Sequence, residues 1–172
     1  MIAMERYEFS SESIKLIYRS TNLGAAAAME LARSKNCPVE VLDPIYQRAK
    51  DSDNTIIIKV ISNHPNASGD LLEKISKDFA SFYGICETIS QNPNILPVTM
   101  KRIYQYHPDD DRIYLPIARN QNAPAETLAK IYQDHNDDDY AVRSIARNAG
   151  AGPELLERIY QDHQNELEVV KS

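Results

Sequence analysis

Apolar residues return along this chain at helical spacing, and the helices they predict come round with a fixed period. Leu128, Ile131 and Tyr132, and again Leu156, Ile159 and Tyr160, fall at i, i+3 and i+4, which puts each set on one face of an α-helix. The tripeptide Ile-Tyr-Gln starts at Ile103, Ile131 and Ile159, at intervals of 28 and 28. Carried back, the same position is held by Ile75, Ile45 and Ile17, with one interval of 30 between Ile45 and Ile75. A second series, Leu31, Ile61, Ile89, Ile117 and Ile145, steps by 30, 28, 28 and 28, so two independent ladders place the same insertion.

Each period reads as a pair of short helices. The first opens near a proline, as at Pro124-Ala125-Glu126 and Pro153-Glu154, where proline suits the first turn and glutamate the positive end of the helix dipole. The second follows an acidic run, as Asp137-Asp138-Asp139 precedes Ala141-Val142-Arg143-Ser144-Ile145-Ala146-Arg147, and aspartate there can cap exposed amides. One segment conflicts with this scheme: Thr55-Ile56-Ile57-Ile58-Lys59-Val60-Ile61 is β-branched, and intrinsic preference alone makes it a strand. Its register with Ile89 and Ile117 makes it a helix instead. The expected architecture is therefore all-α, about six helical pairs in one domain, with units near residues 5–35, 36–62, 63–91, 92–119, 120–147 and 148–172.

Composition agrees. The 172 residues suit a single domain with its own core; 42% are hydrophobic and 26% charged, an ordinary globular balance, and five glycines with no tryptophan lean toward helix. Met1 to Ser10 lacks the apolar stretch of a secretory signal and no window resembles a membrane span, so the expected protein is soluble and cytoplasmic, with no membrane partner. Cys37 and Cys86 have neither zinc nor redox spacing and read as small buried hydrophobes. Charge adds more. Met1 to Arg102 holds 12 Lys+Arg and 12 Asp+Glu, whereas Ile103 to Ser172 holds 7 and 13, so the formal −6 of the chain lies in the carboxy-terminal part. Nucleic acid is a poor partner for that field, because phosphate binding needs clustered Lys and Arg.

The pattern from Asn120 to Arg147, with Asn at a turn, Pro before Glu, Leu-x-x-Ile, an acidic loop and Val-Arg-x-x-Ile-Ala-Arg-Asn, resembles the leucine-rich repeat variant family, a bacterial relative in shape of the HEAT and armadillo solenoids. The likeness spans about Glu5 to Val170, close in the last three units and diffuse before Asn63. It implies a right-handed superhelix, a solenoid in which α-helices alternate with shorter, often 3₁₀, helices. The chain departs from the family in its unit length, near 28 residues against about 24, which leaves room for a full second α-helix. It also lacks the cysteine cluster that holds an iron–sulfur centre in one member, so no cofactor is expected.

Recurrent polar residues are the candidates for function. Tyr18, Tyr46, Tyr104, Tyr132 and Tyr160 share one slot, broken by Ser76, and either line a groove as an aromatic stripe or pack between helices with the hydroxyl at the edge. Asn36, Asn63, Asn92, Asn120 and Asn148 recur at unit junctions, where the side chain can bond the turn backbone. His107, His135 and His163 are laddered at 28 residues, yet helices about 8–10 Å apart cannot bring three rings onto one zinc ion, so repeat copying explains them and no metal site is expected. Asp109-Asp110-Asp111 and Asp137-Asp138-Asp139 lie one repeat apart, with Asp134 and Asp162 added to them. They lack the glycine and distal glutamate of an EF-hand. They form either a solvated edge or a docking ridge that steers a basic protein.

No phosphate loop, HExxH or Gly-x-Ser-x-Gly is present, and laddered residues do not converge as catalytic groups must. The expected function is a non-enzymatic protein-binding module that uses its curved surface and acidic carboxy-terminal edge. The candidate contacts are Asp109, Asp110, Asp111, Asp134, Asp137, Asp138, Asp139, Asp162, Tyr104, Tyr132 and Tyr160. A narrower form is an inhibitor or immunity-type protein for a basic partner; the alternative is a HEAT-like repeat enzyme or nucleic-acid-processing protein.

Overall fold

The computed structural model describes residues 9–20 and 24–169. The expectations for the segment Met1–Glu8, including the absence of a secretory signal, and for the last residues of the sixth unit, 170–172, lie outside the described residues. By its contacts the chain divides into two compact units, Met1–Ile95 and Leu96–Ser172.

The first unit holds α1 (Ser11–Ser20), α2 (Ala25–Arg33), α3 (Val39–Asp51), α4 (Thr55–Ser62), α5 (Gly69–Asp78) and α6 (Tyr83–Ser90). Here α2, α4 and α6 pack in succession, with α3 and α5 also against α4. The β-branched run is α4, a helix as the register required. Ile57, Ile58 and Ile61 are buried while Ile56 is 65% exposed, a helical spacing of inside and outside positions. Asn54 accepts a bond from the Ile57 amide at 3.2 Å and caps the start. Four neighbouring helices cover this short element. Burying an isoleucine yields about 1.5–3 kcal/mol, and three such side chains outweigh a propensity penalty of a few tenths of a kcal/mol per residue.

The second unit holds α7 (Pro97–Tyr106), α8 (Asp111–Arg119), α9 (Ala125–Asp134), α10 (Asp139–Ala146), a 3₁₀ turn (Ala149–Ala151) and α11 (Gly152–Val169). Neighbours pack as α7 on α9, α8 on α10, and α10 on α11. The described residues are entirely helical, with no strand. Second helices are full α-helices of 8 or 9 residues, as unit length suggested. The sixth unit differs from the expected pair: among the described residues it is the short 3₁₀ turn followed by the single 18-residue α11. Earlier first helices stop where Pro108 or Asn136-Asp137-Asp138 follows, whereas Gln164-Asn165-Glu166-Leu167 offers neither a proline nor an acidic run to cap a new helix.

Both isoleucine ladders form the core. Ile45, Ile75, Ile103, Ile131 and Ile159, and Leu31, Ile61, Ile89, Ile117 and Ile145, are all buried; Ile17 in α1 is half-buried. Buried side chains also hold the junctions between pairs. Asn92 Nδ2 donates to the carbonyls of Ser62 at 2.8 Å and His64 at 3.2 Å, while its Oδ1 accepts from the Asn94 amide at 3.0 Å. Asn148 repeats this with Ala118 and Asn120, both at 2.8 Å, and the Gly150 amide at 2.8 Å. The matching position one repeat before Asn92 is His64, not Asn63, which is exposed. His64 Nε2 lies 2.8 Å from the Ser34 carbonyl and its Nδ1 accepts from the Asn66 amide at 3.0 Å, which makes Nε2 the protonated nitrogen. Two residues further on, Asn36, Asn66 and Asn94 each donate to the carbonyls of the preceding turn. Cys37 and Cys86 are free thiols, fully buried, and burial pushes them up to about 12 and about 11.

Candidate protein-binding edge

The acidic runs sit in the α7–α8 and α9–α10 loops of the second unit, and the same tertiary feature draws both together. Tyr114, a buried residue of α8, donates its hydroxyl to Asp138 at 2.7 Å. The His135 ring stacks on it, with centroids 4.0 Å apart and planes 16° apart, and His135 Nε2 donates to the Pro108 carbonyl at 2.8 Å. Burial raises the Tyr114 hydroxyl well above its ordinary value; the bond to Asp138 and the fields of Asp138, Asp111 and Asp137 raise it further. The bonds from Tyr114 to Asp138 and from His135 to Pro108 therefore tie the two loops together, and the runs are neighbours on one edge.

Within that edge the aspartates do different work. Asp110 caps α8, accepting from the Arg112 amide at 3.0 Å, and its carboxylate meets the Arg112 side chain at 3.3 Å. Asp138 caps α10, accepting from the amides of Tyr140 at 2.8 Å and Ala141 at 3.3 Å. Burial works to raise the Asp138 carboxyl, but the Tyr114 hydroxyl, these two amides and the field of His135 together hold it below its ordinary value. Asp109, Asp111, Asp137 and Asp139 point outward and are exposed; Asp139 lies 3.6 Å from Arg143 in an exposed pair.

Asp134 and Asp162 belong to another arrangement. Tyr104 donates its hydroxyl to Asp134 at 2.8 Å, and Tyr132 donates to Asp162 at 2.8 Å, each tyrosine reaching the helix of the next repeat. In the first unit Tyr46 donates to Asp78 in the same way. A basic residue one turn before the aspartate completes the clasp. Lys74 lies 5.6 Å from the centre of the Tyr46 ring and Arg158 5.4 Å from that of Tyr132, while Lys130 bonds Asp134 at 2.7 Å. Burial would raise the Asp134 carboxyl, but Lys130 and Tyr104, donating to it, hold it below its ordinary value. Burial, then the bond to Asp162, pushes Tyr132 up to about 12; Tyr46 and Tyr104 are raised further for the same two reasons.

The tyrosine slot thus divides. Tyr46, Tyr104 and Tyr132 are buried between helices with the hydroxyl at the edge, and Tyr160 is 58% exposed. The histidine ladder follows the same rule: His135 meets Tyr104 edge-on at 6.4 Å, and His163 meets Tyr132 at 6.2 Å. Reading each ladder alone missed these pairs. The signal was present as a spacing of 30 residues from Tyr104 to Asp134 and from Tyr132 to Asp162.

A cleft of about 520 Å³ lies between α7 and α9, lined by Lys101, Tyr104, Gln105, Pro108, Glu126, Thr127, Lys130 and Asp134. Its charges are neutralised in pairs, Lys101 to Glu126 at 2.8 Å across it and Lys130 to Asp134 at 2.7 Å along α9. Among the described residues no group of three or more His, Cys, Asp or Glu side chains is placed to share a metal ion, and no helix is long and apolar enough to cross a membrane. Counted by structural unit, Met1–Ile95 carries 10 Lys+Arg and 12 Asp+Glu, and Leu96–Ser172 carries 9 and 13, net −2 and −4. Comparison with protein-family models, with curated proteins and with solved structures finds no match for this chain.

Proposed function

We propose that this chain is a non-catalytic helical-repeat protein that binds a basic protein through the acidic edge of its second unit. The observation that carries the reading is that Tyr114 and His135 bond the two acidic loops to each other, with Asp109, Asp111, Asp137 and Asp139 exposed. Asp110 and Asp138 hold the loops in shape, so the outward carboxylates are presented by capped helices and not by free chain. A fixed cluster of one sign accelerates encounter with an oppositely charged surface. The resemblance to the leucine-rich repeat variant family, with its right-handed superhelix, belongs to this proposal, as does a cytoplasmic place of action. An inhibitor or immunity-type role is the narrower form. The ion-paired cleft between α7 and α9 gives no charge excess with which to prefer an enzyme.

The test is affinity capture from the native host followed by association kinetics with the captured partner. The triple substitution Asp109→Asn, Asp111→Asn, Asp137→Asn spares both cap residues, so the helices remain. The wild-type association rate is expected to fall on the order of tenfold as salt rises through the range where the Debye length shrinks below about 8 Å, and the triple variant to start slow and respond weakly. A rate indifferent to both salt and the three substitutions refutes the docking edge.

A further inference from the structure

In α3, α7 and α9 a leucine or methionine and, four residues later, the tyrosine of the slot are both buried, and the first helix of the next repeat reaches the tyrosine. Leu42 and Tyr46 of α3 are 0% exposed, Met100 and Tyr104 of α7 are 0% and 3%, and Leu128 and Tyr132 of α9 are both 0%. In α11 the same two positions are Leu156 at 39% and Tyr160 at 58%. The Tyr160 hydroxyl has no acceptor among the described residues. The covered faces show what chemistry fits. At Tyr46, Tyr104 and Tyr132 the covering helix supplies a cation and, one turn later, a carboxylate: Lys74 and Asp78, Lys130 and Asp134, Arg158 and Asp162.

We propose that the Leu156–Tyr160 face of α11 is a docking surface for a helix of a partner protein that bears Lys or Arg four residues before Asp or Glu beside an apolar stripe. It continues the interface between α9 and α11 by one further step. The partner's carboxylate accepts from the Tyr160 hydroxyl, its cation lies over the ring, and its apolar residues cover Leu156. A second copy of this chain is the poorer fit: the corresponding positions of α1 are Leu16 and Ser20, with neither charge. The inference rests on the protein-binding reading above but uses a different surface from the acidic edge.

The probe is a hydrocarbon-stapled peptide of residues 124–136, carrying Lys130 and Asp134 with the staple on the opposite face and its helicity checked by circular dichroism. Titrated into the full chain, it is expected to bind saturably, to shift the Tyr160 ring resonances, and to leave Tyr114 unshifted. Asp134→Asn in the peptide should weaken binding roughly tenfold, as the loss of a charge-assisted hydrogen bond does. Tyr160→Phe in the protein should weaken it as much, with no further loss when the two are combined. Leu156→Glu, at an exposed position where the fold is retained, should abolish binding.

Absence of saturation up to about 1 mM peptide, equal binding by the Asp134→Asn peptide, or equal binding by Leu156→Glu overturns the proposal. So does sedimentation showing a dimer of this chain that Leu156→Glu abolishes, since the occupant is then a second copy. Leu156→Glu leaves Asp109, Asp111 and Asp137 intact. Salt-dependent capture of a basic partner that survives this substitution keeps the acidic edge while the peptide result alone decides the α11 face.

Discussion

Replacing Asn148 by alanine removes one small side chain and three backbone contacts. Asn148 is 2% exposed; its Nδ2 donates to Ala118 and Asn120, and its Oδ1 accepts from Gly150, all at 2.8 Å. Ala118 is fully buried, so its carbonyl loses its partner where water does not readily reach, at about 1–3 kcal/mol. Asn120 and Gly150 are half-buried, and water replaces part of each bond, leaving a net loss of about 0.5–1 kcal/mol apiece. The expected destabilisation is about 3 kcal/mol, or roughly 6–12 °C in the melting temperature for a chain of this size. Urea unfolding followed by circular dichroism measures it, with the exposed Asn122→Ala as a control expected within about 0.5 kcal/mol of wild type. Asn148→Asp keeps the acceptor for Gly150 but sets a buried carboxylate against the Ala118 and Asn120 carbonyls, and should cost at least as much as Asn148→Ala. A loss below about 0.5 kcal/mol for Asn148→Ala would show that the junction is held by helix packing alone.

Two further outcomes follow from the core and the clasps. Ile131→Ala, at a position with no exposed surface, should cost about 2–5 kcal/mol in urea unfolding, and a change under about 0.5 kcal/mol would place the isoleucine ladder outside the core. For pH, burial and then Asp162 raise Tyr132 from near 10 to about 12 in the folded chain, so its neutral form is favoured by folding. That stability is complete below about pH 10 and is lost as pH rises toward 12. The urea midpoint should therefore fall over this window, less steeply in Tyr132→Phe. Phenolate absorbance from the buried Tyr46, Tyr104 and Tyr132 should appear only with unfolding; their ionisation near pH 10 in the folded chain would contradict the clasps.

What the sequence determined by itself is what local burial determines. A helix covered on one side must repeat apolar residues with its own period, so Ile103, Ile131 and Ile159, and their counterparts in the second ladder, marked the helices and their core face without any tertiary information. Register even predicted the helical state of Thr55–Ile61 against its propensity, because repeat position carries the tertiary context that a single segment lacks. The acidic runs were equally legible, since charge is read directly from residue type. The tertiary structure alone decided which polar groups meet. Whether Asp134 faces solvent or the Tyr104 hydroxyl depends on how far one helix is displaced and rotated against the next, and no periodicity within a helix encodes that. The same displacement put His64, not Asn63, at the buried junction, divided the aspartates into caps, clasps and outward charges, and left Tyr160 exposed while Tyr132, identical in local sequence, is covered.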